Sequence, residues 1–562
     1  MISVRTAFLT LALTAGAAGA AGAQQLPLKR MAKPTRPAIT AEDLMSRLYV
    51  YADDSMGGRA GGTPYNDKAT GIIADWARKI GLTPAGDSGT YFQSVPLTRR
   101  TWDVTSPVVG GTTYAYQKDF GVFAQWMTKP FDGADVVFGG LLGDTSVHLT
   151  AEQTNGKVVV FGFTPEVVAK GLQVQFGMAL SRPIFGAAAV VLPMLDNAPA
   201  GVRAFLMRKE SVTAPPAGPT RTMPPVIIAS DAMAAALVGG QLAQAKWGSA
   251  GARYTGKVAL VETATSARNV VATIEGSDPV LKHEYVAIGA HNDHVGMGGT
   301  PVDKDSLKAF NDIRNRLLLA NNMVNISPEA RAGIRVNMDS IRKVHPKVRL
   351  DSIRNGADDD GSGSMAVLEI AEAMQAMKVK PKRSTLFVWH TGEEAGLIGS
   401  AFFTANPTVP MDSVVAQINI DMIGRGRAED LPGGGPDYLG VVGSYMDSKD
   451  LGETVANVNK KLARPLAFDY RYDTTLTWSG YNNIYGRSDH FNYARQGVPI
   501  VFFFTGLHGD YHQASDEPEF IDYPHYSKIT NYVRDLTVEV GNGPRPRING
   551  TKPARPPRTA VP

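Results

Sequence analysis

The side chains able to hold a cation in this 562-residue chain are those of His, Asp and Glu, because cysteine is absent. Five short stretches place them at the ends of apolar runs or beside one another: His291-Asn292-Asp293-His294, Asp358-Asp359-Asp360, Glu393-Glu394, Asp421, and His508 to His512. Three adjacent carboxylates repel one another unless a cation joins them. Paired glutamates suit a division of labour in which one binds metal and the other shuttles a proton. Asp421 ends the apolar stretch Val414 to Ile420, and a carboxylate at a buried strand end needs a partner, of which a cation is the simplest. In the last stretch either His508 or His512 could be the ligand. Taken singly, each stretch has an ordinary explanation: a hydrogen-bonded histidine, an acidic turn capping a helix, or a solvated glutamate pair. Taken together they imply a metal centre. Oxygen and nitrogen donors without sulfur suit zinc in a hydrolytic site, and manganese and cobalt are compatible with the same ligand types.

The elements that must position these residues are apolar runs at Tyr285 to Ala290, Thr385 to Trp389, Val414 to Ile420 and Pro499 to Phe504. Fully apolar strands alternating with helical segments predict an α/β fold with a mostly parallel central sheet flanked by helices. Such sheets bind ligands beyond the carboxyl ends of their strands, where the ligand-type residues fall. Upstream, Ala41 to Gly81 reads as helical with a Gly-rich break, and Ile72, Ile73, Trp76 and Ile80 form one apolar stripe. Residues 103–261 change to short β-like runs, such as Lys157 to Phe161, and read as an inserted domain between the 41–102 and 262–540 parts of the main unit. Residues 302–355 are charged and helix-prone and read as an insertion capping one end of the sheet. The Pro/Arg-rich segment 541–562 reads as a disordered tail.

Residues 1–23 carry Arg5, an apolar run and a small-residue cleavage site, which predict a cleaved export signal and a periplasmic or extracellular protein without a membrane anchor. A net charge of +4 without a basic stripe argues against nucleic acid as a partner. Nothing in the composition sets an oligomeric state.

In chain order, the motifs His-x-Asp, Gly-Ala-x-Asp-Asp-x-Ser-Gly, Gly-Glu-Glu-x-Gly-Leu-x-Gly-Ser, Asp-Met-Ile-Gly and Asp-Tyr-His resemble those of the bacterial co-catalytic zinc aminopeptidases. Wider relatives of that family include glutamate carboxypeptidases, glutaminyl cyclases and the transferrin receptor ectodomain. The resemblance covers about 41–535 without 302–355, and the 103–261 insert resembles a protease-associated domain. It implies a zinc-exopeptidase, phosphorylase/hydrolase-like fold and two Zn(2+) ions bridged by Asp359. One ion would add His291 and Asp421, and the other Glu394 and His512. Glu393 would be the general base toward a metal-activated water, Asp293 would orient His291, and Tyr511 would donate to the tetrahedral oxyanion. Asp360 would follow Asp359 across a cis peptide. His294, Ser488, Asp489 and His490 are expected around the substrate pocket. Ala514 and Glu517 depart from the family, whose members commonly carry Pro and Thr there.

The resemblance implies hydrolysis of the amino-terminal bond of peptides. A carboxypeptidase or dipeptidase on the same centre is the alternative, with Arg425, Arg427 and Arg487 available to a substrate carboxylate. A glutaminyl cyclase is a further alternative. A non-catalytic receptor-like protein would lack ligands, whereas every ligand position and Glu393 are filled here.

Overall fold

In the computed structural model, the described residues are 29 and 33–550, apart from 124–127, 170–174, 176, 180, 199–202, 204–209, 217–221, 322–327 and 474–483. The expected export signal at 1–23 lies outside them, as does the 551–562 part of the expected tail. Residues up to Asn542 belong to the long helix Tyr523–Asn542.

The central sheet runs Glu210–Thr213, Phe92–Val104, Tyr254–Ile274, Ser384–His390, Tyr285–His291, Val414–Ile420, Ile500–Phe504, Tyr438–Val442 and Ala467–Asp469. Its middle is parallel: the His291 strand pairs with both the His390 strand and the Ile420 strand, and the latter pairs with Ile500–Phe504. Antiparallel partners flank this middle on both sides. Apart from partly buried Tyr285, the parallel strands are buried along their whole length, which is why they read as continuous apolar runs. One face packs on the helices Ala41–Tyr51, Pro64–Ile80, Gly363–Gln375 and Tyr523–Asn542, and the other on Ile398–Ala405 and His490–Arg495. Helix Pro64–Ile80 starts on the Thr63 cap with Pro at its first position and stops on left-handed Gly81. Its Ile73 is fully buried, while Ile72, Trp76 and Ile80 pack against the same core.

The 103–261 region contains a second sheet in the order Phe120–Phe123, Val226–Ala229, Ala189–Leu192, Val158–Phe163 and Val136–Leu142, with apolar clusters of its own. The sequence-based boundaries at 102/103 and 261/262 fall inside strands. Phe92–Val104 and Tyr254–Ile274 pair from Phe92 opposite Val270 to Val104 opposite Val258, forming a continuous stalk. Threonines and cross-strand pairs such as Arg100 and Glu262, 2.7 Å apart, carry this pairing straight through the change of composition. The shorter insertion begins earlier than expected, as Met297–Asp303 and Leu350–Ile353 pair into a ribbon from which helix Lys304–Ala320 departs.

Candidate metal centre

His291 is the last residue of its strand, and Glu393, Glu394 and Asp421 lie just beyond theirs, so the parallel register brings them to one edge. Asp359 comes from the irregular turn before helix Gly363–Gln375. The peptide joining Asp359 and Asp360 is cis. Asp359 faces two ways: Oδ1 is 3.1 Å from His291 Nε2, and Oδ2 is 3.1 Å from His512 Nε2. On the first side, His291 Nε2 is also 3.6 Å from Asp421 Oδ1. On the second, Glu394 lies 3.0 Å from His512 Nε2 through Oε2 and 2.8 Å from His294 Nδ1 through Oε1.

Only the middle of the three adjacent aspartates faces both groups. Asp358 accepts from the backbone N–H of Gly424 at 2.6 Å, and Asp360 from those of His291, Gly363 and Met422 at 3.0, 2.8 and 3.2 Å. The neighbours of Asp359 therefore fasten its turn to the strand ends. A Cβ at Gly363 would sit 2.3 Å from Asp360 Oδ1 and 2.6 Å from the Ile420 carbonyl, so this approach requires glycine. Buried Arg59 donates to the Gly356 carbonyl at 2.9 Å and lies over the Tyr51 ring, while Tyr51 donates to the Asn292 carbonyl at 2.8 Å. The Gly-Arg-Ala-Gly-Gly segment is thus a brace beneath the ligand loops.

The geometry fits cations. Buried polar atoms ordinarily find partners, yet among the described residues His291 Nε2, Asp421 Oδ1, Asp359 Oδ2, Glu394 Oε1, His294 Nδ1 and His512 Nε2 have no hydrogen-bond partner. They nevertheless approach one another at 2.8–3.7 Å without hydrogen-bond alignment, as donors converging on a common point do. The excess of buried carboxylate is visible in its electrostatics: burial pushes the Glu393 carboxyl well above the usual range, partly offset by His291, and Asp421 and Glu394 push it further. A dication is the natural compensation for such a set.

Several expectations change in detail. Asp293 holds His291 through its backbone carbonyl, 3.0 Å from Nδ1, while its carboxylate accepts the Glu393 backbone N–H at 3.1 Å. One residue thereby holds both His291 and Glu393, an arrangement in keeping with the outer partners of metal-bound histidines. His294, Asp489 and His490, each at most 1% exposed, are not among the residues lining the cavity beside the centre. The His294 ring joins the Glu394 and His512 group, His490 bonds the Tyr485 carbonyl at 2.7 Å and stacks on Phe502, and Asp489 lies beneath the site with its carboxylate 3.6 Å from His390 Nδ1. Ser488 is also buried, and its hydroxyl donates to Asp421 Oδ2 at 2.8 Å. His508 turns away from the metal-type cluster toward Asp358 Oδ2 at 3.2 Å, leaving His512 at the centre. Asp516, which the sequence did not single out, accepts the backbone N–H groups of Asp358 and Asp359 at 3.0 and 3.1 Å. A bond spanning this much sequence leaves no local signal.

Beside the centre, a cavity is lined by Asp359, Glu393 and Asp421 on one side and by Met422, Ile484, Phe502, Phe504 and Leu507 on the other, with Arg487 and Tyr511 at its rim. Tyr511 stacks on His512 and its hydroxyl accepts from Arg487 at 3.2 Å. Burial raises the Tyr511 pKa well above its ordinary value, so the hydroxyl stays protonated as a donor. A larger cavity of about 380 Å³ lies between Lys308 and Arg427. Of its cations, Arg425 is paired with Asp430 and Arg427 with Asp522.

Residues 269–537 match the model of peptidase family M28. Among curated relatives, leupeptin-inactivating enzyme 1 of Streptomyces exfoliatus is 32% identical over 160 residues, covering 28% of this chain and 31% of that protein. Leucine aminopeptidase 1 of Ajellomyces capsulatus is 27% identical over 213 residues, 36% of this chain and 51% of that one. The chain thus spans a third to a half of the length of these relatives. Among solved structures, a zinc aminopeptidase from Bacillus subtilis aligns with a TM-score of 0.53 at 16% identity, over 90% of this chain and 96% of that one. An aminopeptidase from Aneurinibacillus sp. strain AM-1 aligns at 0.50 with 17% identity, over 92% and 96%. At these identities the structural likeness is one of fold.

Proposed function

We propose that the protein is a two-zinc aminopeptidase that hydrolyses the amino-terminal bond of peptides. The observation that carries this reading is Asp359 facing two ligand groups, with Glu393 and Asp421 opening onto the same partly apolar cavity. His291 and Asp421 would hold one ion, and Glu394 and His512 the other, with His294 poised beside the second. Bound zinc would supply Lewis acidity, lowering the pKa of water and polarising the scissile carbonyl. Glu393 takes the proton from the attacking water and returns it to the leaving amine. Tyr511 donates to the developing oxyanion. The apolar wall of Met422, Phe502, Phe504 and Leu507 favours an apolar first residue, in keeping with relatives named leucine aminopeptidases. Zinc is the metal named for the Bacillus relative.

The reading extends to an exported protein whose 1–23 segment is removed and whose 103–261 region is a protease-associated-like domain. No described helix is long and apolar enough to cross a membrane. Mass spectrometry of the mature amino terminus checks the cleavage.

The test is a leucyl-peptide panel, free and amino-acetylated, before chelation, after chelation and after zinc is returned. Zinc-restored cleavage confined to free amino termini is expected. Equal cleavage of acetylated peptides would move the assignment to a carboxypeptidase or endopeptidase.

A further inference from the structure

We infer that the insertion after His294 is a clamp for the His512 loop, with Asn311 as its central positioning residue. The inference rests on reading the Asp359 constellation as a metal centre. Both feet of the insertion stand at that centre: the ribbon strand Met297–Asp303 starts shortly after His294, and Leu350–Ile353 leads back toward Asp359. The Gly296 N–H donates to the Gly58 carbonyl at 3.0 Å and the Arg354 N–H to the Gly296 carbonyl at 3.2 Å, which pins both feet to the same brace.

From this base, helix Lys304–Ala320 lies along the loop that carries His512. Residues three or four apart share a helix face, and the face bearing 304, 308 and 311 meets the loop. Lys304 Nζ is 2.9 Å from Glu517 Oε1, and Lys308 Nζ is 3.4 Å from Asp510 Oδ2. Asn311 Nδ2 donates to Asp510 Oδ1 and to Ser515 Oγ, each at 3.2 Å, and Arg314 donates to the Gly509 carbonyl at 2.8 Å. These contacts fall on both sides of His512.

Asn311 holds the closure of the loop itself. Ser515 donates to Asp510 at 2.7 Å across the turn, and the Asn311 amide, 2% exposed, donates to both members of that bond. The turn needs an external hold because His512 adopts a left-handed backbone, φ 58°, which a non-glycine residue keeps only when its surroundings fix it. Glu517, one of the positions that departs from the family pattern, is bound by the insertion's own lysine. Lys304 Nζ, 2.9 Å from Glu517 and 3.4 Å from Asp351, neutralises this pair of carboxylates. Arg349 adds a cross-tie at the outgoing foot, 2.9 Å from Asp305 and 2.8 Å from Glu519. The loop and the insertion are therefore matched to each other.

Partners that orient a metal ligand change metal affinity by roughly 10- to 100-fold when removed. The experiment measures hydrogen exchange of the metal-free protein over 505–520, together with zinc affinity by chelator competition, in wild type, Asn311→Ala, Arg314→Ala and Arg316→Ala. Faster exchange confined to 508–517, with zinc bound about tenfold more weakly, is expected for Asn311→Ala and in smaller measure for Arg314→Ala. Arg316→Ala, on the exposed side of the same helix, should match wild type. Wild-type exchange and zinc affinity in Asn311→Ala overturn the clamp. So does exchange that rises throughout Asn311→Ala while Arg314→Ala stays at the wild-type level, since that pattern marks general destabilisation. Should wild type bind no zinc, the metal reading falls, while exchange in the metal-free proteins still decides the clamp.

Discussion

The two inserted regions attach to the central sheet in contrasting ways. The 103–261 region hangs from the stalk strands and buries apolar cores of its own, Phe161 and Val191 among them. The shorter insertion contributes few deeply buried apolar residues, exposes Met297, Val302, Val344, Val348 and Leu350, and is tied down by charged and amide side chains around the metal-type loops. One is stabilised by hydrophobic burial, which is indifferent to the site; the other by directional contacts that end on it. Coupling to chemistry thus follows where the feet of an insertion stand and what its contacts touch, and its size is a poor guide.

The largest effect that sharpens this contrast is at the site itself. Glu393→Gln should lower kcat by about 100- to 10,000-fold by removing the proton carrier, with zinc stoichiometry and melting temperature near wild type. A smaller loss would transfer the base role to another carboxylate. In the larger insert, Phe161→Ala should cost about 3–5 kcal/mol in the stability of that unit through lost burial and a residual cavity, while kcat/KM at low temperature stays within twofold of wild type. A parallel loss of zinc affinity would break the contrast, showing that the stalk transmits to the site.

A pH effect should be smaller and should fall on the central sheet. Burial holds His490 down to about 3 from an ordinary 6.5, so it is neutral in the folded protein. The unfolded chain takes up that proton below 6.5, so stability present above pH 6.5 is lost as pH falls, by up to about 2 kcal/mol at pH 5. His490→Phe, keeping the stack on Phe502, should flatten the fall in melting temperature between pH 7 and 5. An unchanged slope would place the acid sensitivity elsewhere.

Much of the site was legible because ligand-type residues follow strands that are apolar throughout: His291, Asp421 and the Glu393-Glu394 pair are marked by what precedes them. Less legible was the division of work within a motif. Nothing local says that Asp359 faces two groups while Asp358 and Asp360 bind backbone amides, or that Asp293 uses its carbonyl for His291 and its carboxylate for Glu393. His294 and His490 look like pocket residues on sequence, yet their exposure depends on packing from distant segments. The stalk was hidden for a related reason: two long strands keep one pattern across a boundary that composition alone would draw.

Anomalous diffraction at the zinc edge from zinc-loaded crystals tests the central claim most directly. The account predicts two peaks either side of Asp359, one beside His291 and Asp421 and the other beside Glu394 and His512. A single peak, or peaks away from Asp359, would contradict it.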